Sequence, residues 1–135
     1  MVNHNDKDGI SIQLLDNGIH EYHWQSLSRN AMDIWIAYNK QLYESTDSTD
    51  TLRYLHFADE MKFPPLSYVI RKARELQIQF PDQPYTRSAI LVQSKVFGQF
   101  INTLADTLNR DGKDTTRFFT FEERNRAIEW LLNDD

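Results

Sequence analysis

The stretch 52–80, LRYLHFADEMKFPPLSYVIRKARELQIQF, decides the fold. Its first part, up to Phe57, is rich in the aromatic and aliphatic residues that a buried strand accepts. Pro64 and Pro65 then precede apolar residues with helical spacing, and proline is favoured where a helix begins. An apolar strand that ends in acids and leads through a loop into a helix is typical of an open α/β sheet. In such sheets ligands gather at the carboxyl ends of the strands.

The composition is that of an ordinary globular protein, and 135 residues is the size of one domain. The net charge of −5 argues against nucleic acid or a membrane surface as partner, because both require concentrated Lys and Arg. Without cysteine, the chain has no disulfide, thiolate metal site or cysteine nucleophile. No apolar run approaches the ~20 residues of a membrane span, and residues 1–9 lack the apolar core of a signal peptide. We therefore expect a cytoplasmic protein.

The pattern of apolar residues predicts the order β-β-α-β-α-β-α-β-α. Residues 1–9 are predicted to be a flexible tail and residues 10–133 a single α/β domain. Strands 10–15 and 19–24 are expected to form a hairpin, because the turn between them contains Asn17 and Gly18. The other predicted elements are helix 28–44, strand 52–58, helix 66–78, strand 87–93, helix 95–108, strand 116–119 and a helix after Thr120. This alternation predicts a central, mixed but mostly parallel sheet flanked by helices, with the first strand antiparallel at an edge.

The first predicted helix is more apolar than one core-facing stripe requires. Ala31, Ile34, Trp35, Tyr38 and Leu42 form one face. Met32, Ile36 and Tyr43 widen that face, and a second apolar stripe on one helix is typical of an interface. We expect either a homodimer contact or a neighbouring helix at these three residues.

The closing stretch 117–132, RFFTFEERNRAIEWLL, carries a family resemblance. Thr120 and Glu123 form a Thr-x-x-Glu capping box after the last strand, followed by the spacing of Ala127, Trp130 and Leu131. This stretch resembles the C-terminal signature of the SpoIIAA-like proteins of the STAS superfamily, which is named for sulfate transporters and anti-sigma-factor antagonists. The predicted element order over residues 11–132 is similar as well. The resemblance implies a STAS-like fold and a non-enzymatic, regulatory module that acts by protein–protein interaction.

The resemblance also implies a site. In the classical antagonists a strand ends in Asp, and a Ser at the start of the next helix is phosphorylated by a partner kinase. Asp59 and Ser67 occupy these places here, while residues 63–66 replace the usual acid-hydroxyl-hydroxyl-glycine run. A phosphate on Ser67 would meet free N–H groups at a helix N-terminus, although Ser is also common there without modification. The predicted switch or partner loop comprises Asp59, Glu60, Phe63, Leu66 and Ser67.

No motif indicates an enzyme. The chain has no serine-histidine-acid series, no Walker loop and no dinucleotide glycine fingerprint, so no catalytic residue and no cofactor are predicted. Asp59 and Glu60 are acids that metal or phosphate chemistry could use, but solvated loop carboxylates are the commoner case. His20 and His23 are three residues apart on a strand and point to opposite faces, so no metal site is predicted, even with His56 on another strand.

The aromatic residues leave one alternative function open. A carrier of a small apolar, lipid-like ligand would need a cavity lined by such rings, whereas dense packing of the same rings gives an ordinary core. The candidate lining residues are Trp24, Trp35, Tyr38, Tyr54, Phe57, Phe97 and Phe100.

Overall fold

The computed structural model describes residues 9–25, 29–57, 66–93, 96, 98–99, 102–103, 106 and 114–133. Its strands are β1 (Ile10–Leu14), β2 (His20–Trp24), β3 (Thr51–Phe57), β4 (Tyr85–Val92) and β5 (Asp114–Thr120). The helices with described bounds are α1 (Arg29–Ser45), α2 (Leu66–Gln79) and α3 (Arg124–Leu132), with a 3₁₀ turn, Phe121–Glu123, before α3. Residues 96, 98, 99, 102, 103 and 106 are also helical, within the predicted helix 95–108. The predicted α/β class and single domain are confirmed.

The five strands form one sheet in the order β1-β2-β3-β4-β5. β1 pairs antiparallel with β2 at an edge, and every other pair is parallel, as predicted. The hairpin turn contains Gly18 with φ of 87°, a left-handed conformation that glycine adopts without strain. β3 is the central strand. Because β2, β3, β4 and β5 are parallel, their C-terminal ends lie along the same side of the sheet. We call this side the carboxyl edge; it is distinct from the outer strands β1 and β5.

The strand register divides the core between two faces of the sheet. On the α1 face, the buried cluster consists of Ile10, Ile12, Tyr22, Ala31, Tyr38, Leu52 and Tyr54. On the α3 face, it consists of Ile19, Leu55, Ala89, Leu91, Phe119, Ala127 and Leu131. Both faces of the central strands are therefore covered, which explains the almost unbroken apolar run at the end of β4.

The second apolar stripe of α1 lies against α2 of the same chain. Met32 and Ile36 are buried in one cluster with Tyr68 and Leu76 of α2. The ring of Tyr43 lies edge-on to Phe80, with 5.5 Å between the ring centroids. The neighbouring helix, one of the two alternatives, accounts for the stripe. The stripe is therefore explained without a contact to another chain, and a homodimer through Met32, Ile36 and Tyr43 stays a prediction.

Two arginines of the sheet hold the end of α3. Arg53 Nε donates to the carbonyl oxygen of Leu131 at 2.7 Å, and Arg87 Nε donates to that of Trp130 at 2.9 Å. The last carbonyls of a helix have no partner within the helix, and cations are favoured at its negative pole. Arginine side chains of β3 and β4 thus provide hydrogen-bond donors for two of the last carbonyl oxygens of α3.

Trp130 gives a test of the packing on the α3 face. Its ring is half-buried, 6.0 Å from that of Phe119, with the guanidinium carbon of Arg87 4.1 Å from its centroid. We expect Trp130→Ala to lower the free energy of unfolding by ~2–3 kcal/mol, below the range for a fully buried Trp. The control is Leu132→Ala, which truncates a 43% exposed side chain of the same helix. Urea denaturation measures both, and equal losses would contradict the packing.

Candidate functional site

The central strand β3 ends at the carboxyl edge, and the predicted switch loop follows it in the sequence. α2 begins at Leu66, so Ser67 is in its first turn, as predicted. Asp59, Glu60 and Phe63 lie outside the described residues, as do the side chains of Leu66 and Ser67. The part of the site that the structure describes therefore begins with the next residue, Tyr68.

Tyr68 is buried at the centre of a group of charged side chains. Its hydroxyl donates to Asp33 Oδ1 at 2.8 Å, and this hydrogen bond raises the pKa of Tyr68. The guanidinium carbons of Arg29 and Arg71 each lie 5.2 Å from the ring centroid, and Lys72 Nζ lies 5.7 Å from it. These are cation–π distances. We call Arg29, Asp33, Tyr68, Arg71 and Lys72 the Tyr68 cluster.

The Tyr68 cluster joins the N-terminal turns of α1 and α2. Arg29 is the first residue of α1, while Tyr68, Arg71 and Lys72 belong to the start of α2. Lys72 Nζ lies 3.9 Å from Asp33 Oδ1 and 3.7 Å from Glu75 Oε2. Three cations near two carboxylates, beside the positive ends of two helix dipoles, make this part of the carboxyl edge attractive to an anion.

Sequence reasoning missed this cluster. Arg29 and Tyr68 belong to different helices, and only the packing of α1 on α2 brings them together. One signal was available: Arg71 lies one helical turn after Ser67, the spacing at which helical side chains are neighbours.

A second group of polar side chains lies inside the molecule, on the α1 face. His20 Nδ1 and the hydroxyl of Tyr38 are 2.9 Å apart. Trp24 Nε1 donates to His56 Nδ1 at 3.1 Å, and the His56 ring stacks on Tyr22 with 4.8 Å between centroids. Burial lowers the pKa of His56 to about 3, so this imidazole is neutral at physiological pH.

Four buried polar atoms near these rings have no hydrogen-bond partner among the described residues. They are the hydroxyls of Tyr22 and Tyr54, the indole nitrogen of Trp35 and the amide oxygen of Asn39. Burial raises the pKa of both tyrosines well above the usual value, so their hydroxyls are protonated. We call these four residues the interior polar cluster.

The aromatic residues predicted to line a cavity are divided between the two faces. Trp24, Trp35, Tyr38 and Tyr54 lie together on the α1 face. Phe57 stacks on His23 instead, with 4.1 Å between centroids, and it packs with the α3-face cluster. Phe97 and Phe100 lie outside the described residues.

The histidines are placed as predicted. His20 contacts Tyr38 on the α1 face, whereas His23 Nε2 lies 2.7 Å from Glu21 Oε1 on the α3 face. Glu21 Oε2 also accepts from Arg124 Nη2 at 3.0 Å. Among the residues that the structure describes, no group of three or more His, Asp or Glu side chains could hold a metal ion. No helix within the same residues has the length and apolar character that crossing a membrane requires.

Comparisons with protein-family models, with curated proteins and with solved structures found no match to this chain. The two groups of side chains described above and the sequence resemblance are therefore the features that indicate a function.

Proposed function

We propose that the chain is a non-enzymatic, SpoIIAA-like interaction module of the cytoplasm, which binds a protein partner at its carboxyl edge. The observation that supports this most is the position of Ser67 in the first turn of α2, directly before the Tyr68 cluster. A serine in the first turn of a helix, directly before a cluster that contains three cations, has the elements of a phosphate switch.

Phosphorylation of Ser67 would change the charge of this edge. A phosphoserine carries about 1.5–2 negative charges at neutral pH. Arg71, one turn further along α2, and the helix dipole attract these charges, while Asp59 and Glu60 repel them. Drawing Arg71 towards the phosphate changes its contact with the Tyr68 ring, 5.2 Å away in the unmodified chain. The surface offered to a partner that contacts Phe63 and Leu66 of the same loop would then differ. The partner would bind more weakly and be released.

The expected result is a difference in partner affinity between two Ser67 variants. A partner is first captured from the native host and identified, and its affinity is then measured by calorimetry. We expect Ser67→Asp to bind at least about tenfold more weakly than Ser67→Ala, a change of ~1.4 kcal/mol. Thr49→Asp, an exposed position before β3 at the opposite edge, serves as the matched control and should bind as the wild type does. Equal affinity of both Ser67 variants, with no phosphate on the native protein, would contradict the proposed phosphate switch.

Two other functional classes have less support. An enzymatic function would use the carboxylate of Asp59 or Glu60, and both residues lie outside the described part of the chain. A carrier of an apolar ligand would rest on the rings of the α1 face. There the rings contact one another at centroid separations such as 5.6 Å for Tyr22 and Tyr54, and their polar atoms are buried among them. Such an interior favours polar contents over a lipid.

A further inference from the structure

The interior polar cluster lacks the hydrogen bonds that buried polar atoms normally make. In native proteins most buried polar side-chain atoms have a partner, and one without a partner costs ~1–3 kcal/mol. Tyr22 is fully buried, and Asn39 and Tyr54 are nearly so. Three elements, β2, β3 and α1, each contribute to the cluster. A group of such atoms in one region offers hydrogen-bonding groups that a small polar molecule or water can satisfy.

The side chains of the cluster belong to one continuous region. The rings of Tyr22 and Tyr54 are neighbours on adjacent strands, with 5.6 Å between centroids. Trp35 lies 6.3 Å from His56, which stacks on Tyr22. Asn39 follows Trp35 by one turn of α1, and its amide nitrogen donates to the Trp35 carbonyl at 2.9 Å. That bond leaves the Asn39 amide oxygen as the remaining acceptor.

The electrostatics of this region make the binding of a charged ligand unfavourable. The nearby imidazoles of His20 and His56 have pKa values lowered by burial, and the tyrosine pKa values are raised. Asp114 raises the pKa of Tyr54 further, so an anion would be repelled rather than stabilised. A buried ion without a counter-charge is strongly unfavourable.

We propose that the interior polar cluster binds a small neutral molecule that carries both a hydrogen-bond acceptor and a hydrogen-bond donor. The Tyr22 and Tyr54 hydroxyls and the Trp35 indole N–H supply donors, and the Asn39 amide oxygen supplies an acceptor. A phenol, an alcohol or an amide satisfies these groups, whereas a hydrocarbon satisfies none of them. This inference does not depend on the proposed function, because the cluster is interior and the Tyr68 cluster lies at the carboxyl edge.

The test compares two probes of nearly equal size, 4-fluorophenol and 4-fluorotoluene, by ¹⁹F NMR titration of the full chain. We expect saturable binding of 4-fluorophenol and at least about tenfold weaker binding of 4-fluorotoluene. The double variant Tyr22→Phe, Tyr54→Phe should lose this preference. Tyr85→Phe, which removes a hydroxyl from a 47% exposed ring, should keep it.

Each contrary result decides against the inference. No saturable binding of 4-fluorophenol means that the cluster holds water alone. Equal binding of both probes means an apolar cavity, and a preference that survives in the double variant places the probe elsewhere. If the double variant does not fold, the single variants Tyr22→Phe and Tyr54→Phe replace it, and each should weaken 4-fluorophenol binding without changing 4-fluorotoluene binding.

Discussion

Replacing Ile36 by Glu is expected to lower the free energy of unfolding by about 4 kcal/mol or more. Ile36 is 8% exposed and packs with Met32, Tyr68 and Leu76 between α1 and α2. The substitution removes an apolar side chain from this contact and places a carboxylate in a buried position. Urea denaturation followed by circular dichroism measures the loss.

The matched control is Ala37→Glu, which adds the same charge at the next, exposed position of α1. We expect its stability to stay within ~0.5 kcal/mol of the wild type. If Ile36→Glu instead keeps its stability and shifts a dimer to monomer in sedimentation, the residue lies at an interface between chains. The contact also concerns the site, since the packing of α1 on α2 holds Arg29 over the Tyr68 ring.

Local patterns were sufficient for the α/β class and for the mixed, mostly parallel sheet. The Asn17-Gly18 turn between two short apolar runs predicted the hairpin, and the observed pairing joins Leu14 with His20. The predicted strand 87–93 is observed as β4 (Tyr85–Val92), and Ala89, Leu91 and Val92 in its apolar run are buried. These predictions succeeded because periodicity and turn chemistry are properties of neighbours in sequence.

Contacts between distant residues could not be predicted in the same way. The pattern of α1 showed that Met32 and Ile36 are covered, but not that α2 covers them. The hydrogen bonds of Arg53 and Arg87 to the end of α3 span 78 and 43 residues, respectively. Nothing in the local sequence of an arginine on a strand distinguishes such a role from an exposed charge.

One error in the candidate site was avoidable. Tyr54 and Phe57 were both named as candidate lining residues of one cavity, yet they are three residues apart on one strand and therefore face opposite sides of the sheet. The same alternation places His56 beside Tyr54 on the α1 face. The interior polar cluster itself had no signal, because Tyr22, Tyr54 and Asn39 come together only through strand pairing and helix packing.

His56 is expected to make the protein sensitive to acid. Burial lowers the pKa of this imidazole to about 3, whereas an unfolded chain gives His a pKa near 6.5. The unfolded state therefore binds the proton more readily than the folded state over this range. The stability is complete above pH 6.5, and His56 alone should lower it by ~1.4 kcal/mol per pH unit as the pH falls towards 3. His20, whose pKa burial also lowers, adds to the same slope.

The comparison that isolates His56 is His56→Gln, which offers Trp24 Nε1 an acceptor in place of His56 Nδ1 but does not titrate. We expect the variant to be less stable than the wild type at pH 7.5, since it loses the stacking on Tyr22. Between pH 6 and pH 4 its stability should fall by about 2–3 kcal/mol less than that of the wild type. Leu55→Ala, at a fully buried neighbour on the other face, should lower stability at every pH and keep the wild-type slope. Urea denaturation at several pH values measures these slopes, and parallel curves for the wild type and His56→Gln would mean that His56 is accessible to solvent and takes up a proton in the folded state.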